Sequence, residues 1–217
     1  MLSRYLSTAA LAVVLPLALP QTGWSQKWEV GGMAGGAFNK DATAESPAGA
    51  GKVGLKNGAI FSAFLGNNMY RLVAGELRYE YRLGDLKVSS GGTDATLAAQ
   101  THAIHYDFLF HFAPTGSKAR PYVFGGGGVM IFRGTGTESP AQPLSRIALL
   151  TKTNETKGLG TFGAGIKVQV GNSAQVRFEL RNYVTPFPRQ VIAPSVGATI
   201  GDIYWDIAPM GGIAFTF

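Results

Sequence analysis

From residue 28 onward, apolar and polar residues alternate with a period of two, which sets the two kinds of side chain on opposite faces of a β-strand. The clearest case is GELRYEYRL, residues 75–83, where Glu76, Arg78, Glu80 and Arg82 are interleaved with Leu77, Tyr79, Tyr81 and Leu83. Eight segments are predicted as strands: 28–38, 56–66, 71–83, 101–112, 120–133, 159–170, 175–184 and 203–217. In 101–112 the apolar face is Ile104, Tyr106, Phe108, Phe110 and Phe112. In 159–170, Phe162, Ala164 and Ile166 oppose Thr161, Lys167 and Gln169, and in 175–184, Val176, Phe178 and Leu180 oppose Arg177, Glu179 and Arg181. After residue 28 no stretch shows the 3.6-residue period of an amphipathic helix.

The connections alternate in length. Three are short and rich in turn formers, NNMY (67–70), APTGSKA (113–119) and GNSA (171–174). The other four, 39–55, 84–100, 134–158 and 185–202, are long. An up-and-down barrel with tight turns on one rim and projecting loops on the other gives this rhythm, and an even strand number puts both termini on the short-turn rim. Strands of this length also suffice to cross a hydrocarbon layer at barrel tilt.

Alternation alone fits either a soluble exported barrel of the lipocalin kind, with charges in water, or a membrane barrel with charges inside. The distribution of charge favours the second. Segment 28–38 carries Glu29 alone, segment 203–217 Asp206 alone, and segment 120–133 only Arg120 and Arg133 at its ends. A water-facing wall so poor in charge would be a large apolar patch. The charges also come in both signs, as a confined interior requires: Glu76, Arg78, Glu80, Arg82, His105, Asp107, Lys167, Arg177, Glu179, Arg181 and Asp206 share the inward parity of their strands. Aromatic residues collect at strand ends: Trp28, Tyr70, Phe112, Tyr122 and Phe217 at the short-turn rim, Phe38, Phe132, Tyr183 and Trp205 at the other, as two interfacial belts.

Composition agrees. Charged residues make up 15% of the chain, against roughly 25% in ordinary soluble domains, and there are 30 glycines. Residues 1–25 read as a cleaved signal peptide: Arg4, then an apolar run broken by Pro16 and Pro20, then Gly23 and Ser25 before the cut. Residues 26–217 form the remaining domain, with 18 basic against 13 acidic residues. With no cysteine there is no disulfide framework and no lipoprotein anchor. An exported basic chain is expected to meet phosphate-bearing lipids rather than nucleic acid.

The signal peptide, the Gly-rich strand KWEVGGMAGGAF, the alternation of long and short connections and the ending GGIAFTF together resemble the eight-stranded outer-membrane β-barrels of the OmpA/OmpX type. The resemblance implies an all-β, eight-stranded antiparallel up-and-down transmembrane β-barrel in the outer membrane of a Gram-negative cell. It further implies that Ile213, Phe215 and Phe217 form the C-terminal signal read by the barrel-assembly machinery. The peptidoglycan-binding domain that some members carry is expected to be absent. Pro209 departs from the pattern: it cannot donate to a ladder, so a bulge or local break is expected there.

Candidate chemistry is sparse. His105 and Asp107, two apart on one strand face, could form an acid/base pair or hold a metal, with His111 about 13 Å further along. A polar interior satisfied by its own pairs is the expectation instead, with no metal and no cofactor. His102 has parity facing outward, near Ser89, Ser90 and Thr101, without a spacing that singles out a nucleophile. Gly125–Gly128 lacks the helix and Lys of a phosphate loop, and is expected to bare a strand for bulky interior neighbours. The apolar loop PFPRQVIAPSVGATIGD (186–202) is expected to extend its hairpin or pack over the barrel mouth, with an adhesive edge as the sharper possibility.

The expected function is therefore non-enzymatic: a structural or surface-interacting barrel, its lumen plugged by charged side chains, acting through four exposed loops. Its expected partners are outer-membrane lipids and lipopolysaccharide, the assembly machinery and an unidentified loop-bound protein. A narrow pore or small-solute transporter is the alternative, and a lipid-modifying enzyme the third.

Overall fold

The computed structural model describes residues 27–139 and 141–217; the predicted signal peptide lies outside them. Eight long strands close a barrel: β1 (Trp28–Lys40), β4 (Gly58–Asn67), β5 (Val73–Leu83), β8 (Ala99–His111), β9 (Ala119–Gly134), β11 (Asn154–Gln169), β12 (Ala174–Pro186) and β15 (Ile203–Thr216). Each pairs antiparallel with its sequence neighbours among the eight, and β1 closes on β15 from Glu29↔Thr216 to Lys40↔Trp205. At the short-turn rim, reciprocal backbone bonds between Trp28 and Phe217 (3.1 and 3.0 Å) seal this seam. All eight predicted strands are present, and β11 begins five residues earlier than the periodicity suggests.

Pro209 produces a break rather than a bulge. The β1–β15 register is the same on both sides of it, Gly35↔Met210 and Phe38↔Ile207, but the two pairs between are missing. Toward β12 the ladder runs through Leu180↔Pro209 without interruption. A proline removes one donor, so only one of its two neighbours loses its bonds.

Period two separates the faces as expected. Leu77, Tyr79, Leu83, Ile104, Phe108, Phe110, Phe178 and Leu180 are all exposed on the outer wall, while Glu76, Arg78, Glu80 and Arg82 are buried inside. An outer wall of this kind is matched to lipid rather than water. Trp28, Tyr70, Phe112 and Phe217 stand exposed at the short-turn rim, and Phe38 and Trp205 at the other. Tyr122, Phe132 and Tyr183 do not belong to these belts. They share the parity of Arg120, Met130 and Arg181, and are 1%, 1% and 0% exposed inside the barrel.

The long connections carry strands of their own, which the periodicity does not show. β2 (Ala42–Ser46), β3 (Gly49–Leu55), β6 (Leu86–Ser90), β7 (Thr93–Leu97) and β14 (Thr199–Ile200) form a five-stranded sheet in the order β14-β2-β3-β6-β7. β10 (Ala148–Leu150) pairs with β13 (Ile192–Pro194). The long loops are thus one folded dome rather than separate projections. Val53, Val88, Leu86, Leu97 and Ile200 on the inner sheet face join Ile147, Leu150, Phe187, Val191 and Ile192 in a single apolar cluster. That cluster continues down into the barrel mouth through Phe132, Tyr204, Met130 and Ile60. The loop 186–202 packs over the mouth: Phe187, Val191, Ile192 and Ile200 are buried, and Val196 alone of its large apolar residues stands free.

Candidate functional site

An eight-stranded barrel has an interior just wide enough to be filled by side chains. Here the filling is ionic. Among the described residues of the lumen, six carboxylates, Glu29, Glu76, Glu80, Asp107, Glu179 and Asp206, face six bases, Arg78, Arg82, Arg120, Lys167, Arg177 and Arg181, all buried. Burying a charge is costly unless it is paired and hydrogen-bonded, so the arrangement must satisfy most members several times over.

At the centre it does. Glu76 Oε1 accepts from Arg78 Nε at 2.9 Å and Nη2 at 2.5 Å, and Glu76 Oε2 accepts from Arg177 at 2.7 Å. Glu179 accepts from Arg177 at 2.8 Å, Arg181 at 2.6 Å, Arg78 at 3.1 Å and the Tyr122 hydroxyl at 2.5 Å. Arg181 also reaches Asp107 at 2.8 Å, and Asp107 accepts from the Thr161 hydroxyl. These links join β5, β8, β9, β11 and β12 across the lumen. The guanidinium planes lie on aromatic faces: Arg177 over Phe64 at 4.2 Å and Arg181 over Phe124 at 4.0 Å. Inward glycines make room for these rings, since a Cβ at Gly31 would overlap the Phe64 ring and one at Gly163 the Phe124 ring.

Toward the short-turn rim, Lys167 donates to Glu29 at 2.7 Å, Asn68 to the same carboxylate at 3.0 Å, and Arg120 to Asn68 at 3.3 Å. Toward the dome, Arg82 donates to Asp206 at 2.7 Å with its plane 3.8 Å over the Tyr183 ring, and the Tyr183 hydroxyl donates to Glu80 at 2.6 Å. This upper layer is the looser one. His105 Nε2 and Arg82 Nη2 each stand 3.5 Å from Glu80, and Glu80 Oε2, Arg82 Nε, Arg82 Nη2 and His105 Nε2 have no hydrogen-bond partner among the described residues.

All eleven predicted interior residues lie in this network. Sequence reasoning misses Glu29, Arg120, Tyr122, Thr161 and Tyr183 as members. Their parity is readable, but Glu29 is the single charge of a Gly-rich strand, and the two tyrosines look like belt residues. His105 and Asp107 approach to 3.2 Å, whereas His111 lies against the Tyr122 ring in a tilted contact with centroids 5.3 Å apart and joins neither. Among the described residues no group of three or more His, Cys, Asp or Glu is placed to hold a metal ion.

Outside the lumen, His102 Nδ1 lies 2.8 Å from the Tyr79 hydroxyl on the outer wall, the Ser90 hydroxyl donates to the Ala50 carbonyl, and Thr101 faces inward. These three do not assemble. Gly125–Gly128 is the middle of β9, and its inward members Gly126 and Gly128 lie against Asp107 and His105. Ile213, Phe215 and Phe217 stand exposed on the outer side near the seam with β1.

A family model described as the outer membrane protein beta-barrel domain matches residues 7–188. No curated protein matches the sequence. Among solved structures the chain is similar to Neisserial surface protein A, at 12% identity over 88% of this chain and 97% of that chain, with a TM-score of 0.57. It is also similar to a major outer membrane protein from Thermus thermophilus, at 12% identity over 88% and 99% of the two chains and a TM-score of 0.51. Outer membrane protein AlkL, solved in lipid bilayers, gives 12% identity over 93% and 95% and a TM-score of 0.50. At such identities the likeness concerns the fold.

Proposed function

The chain belongs to the outer membrane protein β-barrel family, and from that premise we propose that it is a non-conducting, non-enzymatic surface protein of the outer membrane whose working face is the dome. The observation that carries this reading is double occlusion. The lumen is filled by paired side chains from Glu29 to Asp206, and the mouth above it is closed by the apolar cluster of the dome. A solute entering from outside would have to part a folded core and then a set of salt bridges. The chemistry left facing the medium is the outer face of the five-stranded sheet, where Thr43, Glu45, Lys52, Asp94 and Thr96 are exposed. That polar, mixed-charge face suits contact with another macromolecule or a structural role at the surface. During biogenesis, Ile213, Phe215 and Phe217 would serve as the signal taken by the assembly machinery.

The test is planar-bilayer conductance of the refolded barrel, with folding checked by heat-shifted gel mobility. A folded and silent protein is the expected result. Discrete conductance steps would overturn the reading in favour of a narrow pore, with the charged lumen as its selectivity filter.

A further inference from the structure

On the long-loop side, β9 ends at Gly134 and β11 begins at Asn154, and the chain between them folds back to form a small pocket lined by Arg133, Gly134, Thr135, Lys152, Thr153 and Asn154. Its floor is backbone. The Gly134 N–H donates to the Thr153 carbonyl at 3.0 Å, and a Cβ at 134 would overlap the Thr151 carbonyl. The strand register sets Arg133 beside Gln100 on β8 and Asn154 on β11, a polar row on the outer wall.

The height of this row is fixed by what lies below it. The outward positions of β9 run Pro121, Val123, Gly125, Gly127, Val129 and Ile131 before reaching Arg133. At about 3.3 Å per residue the stretch from 121 to 131 is about 33 Å long. Tilted as barrel strands are, it stands about 25 Å tall, the height of a lipid-facing apolar band. Arg133 is the next outward residue, so the pocket opens at headgroup level on the outer leaflet, directly above a wall that receives acyl chains.

Its cations are unengaged. Neither the Arg133 guanidinium nor the Lys152 ammonium has an ionic or hydrogen-bond partner among the described residues. Three other cations on this side are paired, Lys87 with Asp41 at 2.8 Å, Lys157 with Glu155 at 2.7 Å and Arg189 with Asp202 at 2.6 Å. The acidic residue at the pocket edge, Glu138, accepts the Lys152 backbone N–H. The residues lining the pocket carry donors: the Arg133 guanidinium, the Lys152 ammonium, the Asn154 amide and the Thr135 hydroxyl. A guanidinium fork binds phosphate oxygens bidentately and an ammonium binds them as a point charge.

We infer that this pocket binds a phosphate group carried by a lipid of the outer leaflet, with Arg133 and Lys152 clamping the anion and Thr135 and Asn154 donating beside them. The inference goes beyond the proposed function and stands on the rim alone, so it holds whether or not the lumen conducts.

The experiment is retention of diphosphorylated lipid A by the refolded chain in zwitterionic detergent, read by native mass spectrometry. The intact chain is expected to retain lipid A, and the double variant Arg133→Gln/Lys152→Gln to lose retention about tenfold. Arg133→Lys, which keeps the charge without the fork, is expected to lose about threefold and guards against a fold defect in the double variant. The control pair Lys56→Gln/Arg189→Gln removes cations already paired with Asp85 and Asp202, and is expected to leave retention unchanged. Equal retention by the double variant would overturn the site. So would equal retention of dephosphorylated lipid A, which would show that only the apolar wall binds. Displacement of lipid A by inorganic phosphate as readily as by more lipid A would overturn the lipid assignment and leave a free-anion pocket.

Discussion

Glu179 is the residue on which the lumen network turns, because three guanidinium groups and a phenol share its two oxygens. Replacing it with Gln takes one shared carboxylate from three buried cations, leaving Arg78 and Arg177 to Glu76 and Arg181 to Asp107. The expected loss is about 3–5 kcal/mol, the cost of breaking a buried pair by removing one partner, read as a lowered urea midpoint in detergent. Lys157→Ala, at the partly exposed pair with Glu155, is the contrast: its expected cost is below about 1 kcal/mol. The same scale shows where residue type misleads. Tyr122, Phe132 and Tyr183 sit close enough to strand ends to resemble belt residues, yet strict alternation from Arg120 or Arg177 already places them inside. Parity outranks side-chain class, since a one-residue shift moves a side chain from lipid to lumen.

At the scale of elements, the eight barrel strands are legible because each has two unlike faces over ten or more residues. The dome strands are not. ATAES and GAGKVGL are short and rich in Ala and Gly, and β10, β13 and β14 span two or three residues each. Such pieces exist as strands only because partners from other loops complete them, and pairings like Val53↔Val88 or Ile200↔Ala44 cannot be read from one segment. The apolar character of 186–202 is the one visible hint that something above the rim is buried. Val88 lies at the middle of the inner sheet face and is fully buried. Val88→Asp is therefore expected to open the dome while the barrel stays folded. Limited proteolysis should then cut within 41–57 and 84–98, with heat-shifted gel mobility retained.

At the scale of the whole molecule, the barrel closes without a disulfide because every strand has two neighbours and no barrel edge remains. Occlusion is layered, and the layers can be separated. Replacing residues 85–98 by a short turn removes β6 and β7 and unroofs the mouth, but the salt-bridged lumen remains. That variant is expected to stay silent in a bilayer. Adding Arg78→Ala and Arg177→Ala, which deletes the side chains bridging Glu76 and Glu179, is expected to give measurable conductance. The dome has a further property that follows from its pairing. Its inner positions hold the fold, while the outer row Thr43, Lys52, Ser89 and Asp94 shares no packing duty with them. The β6–β7 hairpin turns through Gly91 and Gly92, both with positive φ and open space around them. The dome is thus a rigid plate whose outer side chains can change at every second residue without loss of shape, and whose tip can accept a grafted epitope.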